Sequence, residues 1–121
     1  MKLYIGAAGS GQRELAAAET GLIPLPCSPE AALSAPAVDV FHCTVRELME
    51  HGGDAQAFAR ELLERNPDAV VVSNEIGLGI VPLDPFERRW REETGRALGI
   101  LCADARTRLV RVWYGLPEVL K

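Results

Sequence analysis

Residues 68–74, DAVVVSN, place the tightest limit on what this chain can fold into. Four consecutive apolar residues, Ala69 to Val72, lie between Asp68 and the polar pair Ser73-Asn74. A strand with one wet face alternates polar and apolar residues, whereas an unbroken run calls for burial on both faces, as in the middle of a parallel sheet. Parallel neighbours cannot be joined by tight turns, so helical crossovers must lie between the strands.

The remaining sequence supplies them. Lys2–Ile5 reads as a first strand and Gln12–Glu19 as a short alanine-rich helix ending near Gly21. Residues 21–37 hold four prolines and read as a connection, with a short strand at Ile23–Cys27. Val38–Cys43 is a β-branched and aromatic run. Val45–Glu50 is helical in pattern, breaks at Gly52-Gly53 and resumes from Asp54 to Arg65, with Ala55, Phe58 and Leu62 on one face. Asp84 is a good N-cap and Pro85 a good first residue for a helix to about Ala105, with Phe86, Trp90, Ala97, Leu98 and Leu101 as its apolar side. Leu109–Tyr114 alternates like a last strand, and GLPEVLK closes the chain. The expected fold is α/β: one domain over residues 1–121, three-layered and P-loop-NTPase-like, with a mainly parallel sheet of four to five strands.

A length of 121 residues fits one domain, and 48% hydrophobic with 25% charged residues is ordinary for a soluble globular chain. The formal net charge of -4 argues against nucleic acid as a partner. No apolar run approaches the roughly 20 residues of a membrane span. MKLYIGAAGSG turns to glycine before a signal-peptide core could form, so a cytoplasmic location is expected. Cys27, Cys43 and Cys102 are odd in number and widely spaced, which suits buried free thiols better than zinc or disulfides.

GAAGSGQR, residues 6–13, follows the first strand and opens the first helix. Gly6 and Gly11 have the spacing of a phosphate-binding loop, G-x-x-x-x-G-K-[ST], with Gly9 and Ser10 between them. Gln12 stands in the lysine position and Arg13 in the hydroxyl position. Backbone N–H groups at a helix N-terminus can hold an anion without the lysine. The outer-phosphate contact and the magnesium ligand are what such a loop would lack.

VVVSNEIGLGIVP, residues 70–82, is the stronger signal. Ligands of open α/β sheets bind at the carboxyl ends of strands, where Asn74 and Glu75 fall. Gly77 and Gly79 permit sharp turns or close backbone approach before Pro82. This stretch resembles the TNEVGxGIVP signature of the bifunctional adenosylcobinamide kinase / adenosylcobinamide-phosphate guanylyltransferase family of cobalamin biosynthesis. Arg88, Trp90, Arg91, Glu92 and Gly95 fall where that family has R-x-F-R-D-x-x-G, and VRVWYGLPEVLK is similar to its last strand and glycine-proline turn. The specific likeness covers residues 68–121. The earlier half is similar only through the first strand, the loop and DVFHCTVREL.

The departures fall on chemistry. The loop lysine and serine are replaced by Gln12 and Arg13. The acid that precedes cysteine and threonine in the family is His42 here, before Cys43 and Thr44. The segment bearing the guanylyl-accepting histidine is reduced to Thr20–Ala37, and neither His42 nor His51 lies in a matching context. An Asn-Gln pair of the last helix is replaced by Leu98 and Gly99.

The resemblance implies a nucleotide or phosphate ligand, GTP or ATP, at Gly6, Gly9, Ser10, Gly11, Gln12 and Arg13. It implies a second pocket at Asn74, Glu75, Gly77, Gly79, Pro82, Arg88 and Arg91, with a corrinoid as a further partner. The losses imply a divergent member with kinase and guanylyltransferase activity lost or much reduced, and they argue against bound magnesium. Two other readings stay open. One is an active enzyme in which Arg13 replaces the lysine and Glu75 supplies the metal or base function. The other is a non-catalytic partner subunit. His42 reads as structural, His51 as a helix C-terminal residue favoured by the dipole, and Trp90 and Trp113 as core or interface aromatics. Phe86 and Trp90 could be buried against a second copy, so a homo-oligomer is expected.

Overall fold

The computed structural model describes residues 1–77 and 79–121. In chain order the elements are β1 (Lys2–Gly6), α1 (Gln12–Thr20), β2 (Leu25–Pro26), α2 (Pro29–Ala32), β3 (Ala37–Asp39), α3 (Phe41–Glu50), α4 (Ala55–Arg65), β4 (Val70–Asn74), α5 (Pro85–Ala103), β5 (Arg108–Trp113) and β6 (Leu116–Val119). The strands form one sheet in the order β2-β3-β4-β1-β5-β6, parallel throughout except for β6, which pairs antiparallel with β5.

Strand β4 lies inside the sheet, as its unbroken apolar run requires, with Val70 to Ser73 all buried. Register assigns its residues to two cores. Val70 and Val72 share a face with Tyr4, Val110 and Val112, and α1 covers them with Ala16. Val71 shares the other face with Leu3, under Val38, Phe41, Val45, Phe58, Leu62, Ala97 and Leu101. One helix thus covers one face and α3, α4 and α5 cover the other, giving the three layers of an α/β domain.

Three local expectations change. The run from Val38 stays extended only to Asp39, and Phe41 to Cys43 already belong to α3. Phe41 and Val45 are one helical turn apart and both fully buried, so helical spacing wins over β-propensity. The reversal is made at Val40, in left-handed backbone with φ 44°. The strand expected over Ile23–Cys27 shortens to Leu25–Pro26, and a short helix, Pro29–Ala32, occupies part of the proline-rich connection.

The sheet has six strands because GLPEVLK returns along β5 through a two-residue turn, Tyr114-Gly115, with φ 49° and 78°. The cysteines are free, but they are not the buried thiols expected: Cys43 is exposed on α3, and Cys27 and Cys102 are half-buried. Among the described residues, no helix is long and apolar enough to cross a membrane.

Candidate functional site

The carboxyl ends of β1 and β4 lie side by side, with Gly6 paired to Asn74. The connection leaving β1 crosses the face covered by α1, while that leaving β4 crosses the opposite face through α5 to β5. The two connections diverge at this point, the usual ligand position in such sheets.

The Gly6–Gly11 loop is closely packed at its base. A Cβ on Gly6 would stand 2.8 Å from the Val112 carbonyl oxygen. Gly9 and Gly11 adopt φ 77° and 87°, and Gly11 is the N-cap of α1. The β5–β6 turn braces the loop, with the Gly115 N–H donating to the Ser10 carbonyl at 2.7 Å.

Gln12 is 5% exposed, and its side chain folds back over the loop. Its Nε2 donates towards the Gly6 and Ala7 carbonyls, each at 3.2 Å, and to Asn74 Oδ1 at 2.9 Å. The carboxamide therefore ties the loop to the end of β4, and Asn74 is committed to Gln12. Arg13 leaves the loop altogether. Its Nε donates to the Pro24 carbonyl and lies 3.2 Å from Asp39 Oδ2.

Glu75 is anchored next to the loop, its N–H donating to the Gly6 carbonyl at 2.9 Å. Its carboxylate is gripped at both oxygens by Arg111, with Nε to Oε1 and Nη2 to Oε2 each at 3.1 Å. The Arg111 guanidinium also lies 4.2 Å from the centre of the Trp113 ring. Two participants escaped sequence reasoning. Arg111 reads in sequence only as a polar position of an alternating strand. Asp39 ends β3, inside the Val38–Cys43 run whose pattern suggests a single strand.

His42 is buried at the start of α3. Its Nδ1 accepts the Asn74 backbone N–H at 3.2 Å, which puts the imidazole proton on Nε2. Burial holds its pKa below the ordinary value of 6.5, with nearby Asp39 pulling weakly the other way. Trp90 Nε1 donates to the His42 carbonyl at 2.7 Å and lies against the core. Trp113 is half-exposed, and its Nε1 donates to Glu118 Oε2 at 3.0 Å. His51 caps α3, its Nδ1 lying 2.8 Å from the Glu47 carbonyl oxygen.

The remaining candidates form a second group. A cavity of about 230 Å³ is lined by Gly77, Val81, Pro82, Arg88, Arg91 and Glu92. Arg88 Nη1 donates to the Pro82 and Leu83 carbonyls at 3.1 and 2.6 Å, and Arg91 Nη1 to the Ile80 carbonyl at 2.6 Å. Neither arginine pairs with Glu87 or Glu92, the partners that helix spacing offers. Glu87 goes to Arg46 and Glu92 faces Arg96. Gly79 has φ 95°. Leu78 lies outside the described residues.

A protein-family model described as cobinamide kinase / cobinamide phosphate guanyltransferase matches residues 37–120, extending the likeness well upstream of Asp68. Its span starts after the Gly6–Arg13 loop and takes in His42, the Asn74–Pro82 stretch and the arginines of α5. No curated protein matches. With 84 of 121 residues matched, and with a mostly parallel sheet bearing those motifs at its carboxyl edge, the chain belongs to the cobinamide kinase / cobinamide phosphate guanyltransferase family.

Proposed function

We propose that this protein is a divergent, shortened member of the family that binds a nucleotide or other phosphate at the Gly6–Gln12 loop, with kinase and guanylyltransferase activity lost or much reduced. The observation that carries this reading is the position of Gln12. Its carboxamide bonds two loop carbonyls and Asn74, so it braces the loop without bringing a charge to it. Loop N–H groups and the N-terminus of α1 remain as anion donors. Stabilising the charge of a transferring phosphoryl group is the larger requirement, and a neutral amide does not meet it.

The residues present do not fit the magnesium ion of a working loop. Arg13 offers no oxygen where a hydroxyl would stand. Asp39 accepts the Val40 N–H through Oδ1 and faces Arg13 through Oδ2, and Glu75 is neutralised by Arg111. The same contacts weigh against a relocated active site, since both proposed replacements, Arg13 and Glu75, are occupied by each other's kind of partner.

The test is a thermal-shift and calorimetric titration with GTP, ATP and GMP, with and without magnesium. Binding is expected to be weak, metal-independent and abolished by Gly9→Asp. That substitution adds a carboxylate in open space at a left-handed position aspartate tolerates. Magnesium-dependent stabilisation with steady turnover would overturn the reading, and so would the absence of any response.

A further inference from the structure

We propose that the cavity at the amino edge of the sheet, beneath the last turn of α1, binds a small zwitterion, with its oxyanion on Lys2 and Arg108 and its ammonium group on Glu19.

The cavity holds about 340 Å³ and is lined by Lys2, Tyr4, Glu19 and Arg108. That volume is of small-molecule size. Tyr4 pairs with Val110, and both belong to the core that α1 covers. Lys2 and Arg108, two residues earlier on each strand, therefore project to the same side. They are themselves partners in register, on strands about 4.8 Å apart. Their backbones are held by the Lys2 N–H on the Ala69 carbonyl at 3.1 Å and the Arg108 N–H on the Met1 carbonyl at 2.8 Å. Above them, Glu19 in the last turn of α1 accepts the Tyr4 hydroxyl through Oε1 at 2.7 Å. Burial, then the bond and charge of Glu19, push the Tyr4 phenol up to about 12, with nearby Arg108 pulling weakly the other way. Tyr4 thus stays a donor and fixes the Glu19 carboxylate over the cavity.

The charges in this cavity are poorly placed for the protein alone. Lys2 and Arg108 repel each other as neighbours on adjacent strands. Glu19 lies at the negative end of the α1 dipole, with no basic residue in that turn. Among the described residues none of the three has an opposite charge within 4 Å. A ligand with one negative and one positive group relieves both conflicts together. Its oxyanion bridges the two cations, with the Arg108 fork able to take two oxygens. Its ammonium group meets Glu19 Oε2 and the carbonyl end of the helix. A bare anion would leave Glu19 unrelieved, and a bare amine would leave the two cations facing each other.

The site is independent of the nucleotide reading. From Lys2 to Gly6, β1 carries the chain about 13 Å along the sheet, and Glu19 lies at the other end of α1 from Gln12. The two sites share no residue.

The full-length protein is titrated with β-alanine and phosphoethanolamine as zwitterions, acetate and inorganic phosphate as bare oxyanions, and ethylamine as a bare cation. GTP, titrated in parallel, reports on the loop. Backbone amides of residues 2–4, 18–20 and 108–110 are followed by nitrogen-edited NMR, beside those of residues 6–12. The zwitterions are expected to shift the first set with roughly tenfold higher affinity than the bare ions, in wild type and in Gly9→Asp alike. The tighter of the two identifies the oxyanion as carboxylate or phosphate. Glu19→Gln keeps an acceptor for the Tyr4 hydroxyl but no charge, and is expected to erase the preference for zwitterions. Lys2→Gln/Arg108→Gln is expected to weaken their binding roughly tenfold or more. All three side chains are exposed, so these variants are expected to keep the fold. A bare oxyanion that binds as tightly as its zwitterion would overturn the inference, as would a preference that survives Glu19→Gln. Shifts with GTP at residues 6–12, and none with the zwitterions at the amino edge, would overturn it and leave the nucleotide reading standing. Zwitterion shifts beside a loop silent to GTP would support it and sink the other.

Discussion

At the scale of single residues, the site depends on atoms that leave no room. Gly6 is glycine because the Val112 carbonyl lies where a side chain would begin. Gly6→Ala is expected to destabilise the fold by about 1–3 kcal/mol, the usual cost of overpacking a rigid wall, measured by urea denaturation. Gln12 shows the opposite relation between sequence and role. Its replacement of lysine is visible in the sequence, but its three acceptors are known only once β4 is placed beside β1. Asn74 and Glu75 were legible as strand-end polar residues, whereas the grip of Arg111 on Glu75 was not, because strand β5 reaches that point only through the sheet.

At the scale of elements, the β5–β6 hairpin is the piece that sequence reasoning left out. WYGL has a turn glycine, but GLPEVLK reads as a tail because Pro117 argues against a strand. The register resolves the conflict. Trp113 and Leu116 flank the two-residue turn as a hydrogen-bonded pair, so Pro117 falls in the next, non-bonded pair and turns its nitrogen to the open edge. A proline there costs no ladder bond and blunts the edge against further pairing. Tyr114 is 92% exposed at φ 49°, a position where asparagine is favoured. Tyr114→Asn is expected to stabilise the protein by about 0.5–1 kcal/mol, raising Tm by a few degrees in a calorimetric scan. A fall in Tm would show that the ring makes contacts that offset its backbone strain.

At the scale of the whole molecule, His42 joins the two halves of the domain, its imidazole on the Asn74 N–H and its carbonyl on Trp90 of α5. Since burial lowers its pKa, the unfolded chain takes up a proton that the native state resists. Stability is therefore full above about pH 6.5, the free-histidine value, and falls as the pH drops below it. Tm is expected to decline between pH 6.5 and 5, above the range in which the paired carboxylates Asp104 and Glu87 protonate. In His42→Asn, which keeps an acceptor for the Asn74 N–H but cannot titrate, that decline is expected to flatten. Equal slopes in the two proteins would remove His42 as the cause.

The sequence alone determined the layered α/β class, because an unbroken apolar strand has to be buried on both faces, and it located both glycine-bearing stretches by their spacing. It also showed the loss of a loop lysine, since that is a matter of residue type at a counted position. Tertiary structure decided which side chains meet: Gln12 with Asn74, Arg13 with Asp39, Glu75 with Arg111. Those pairs lie 26 to 62 residues apart in the chain, and no local pattern encodes a contact that strand order creates. The same physics moved Phe41–Cys43 from strand to helix, where a shared core outweighed local β-propensity.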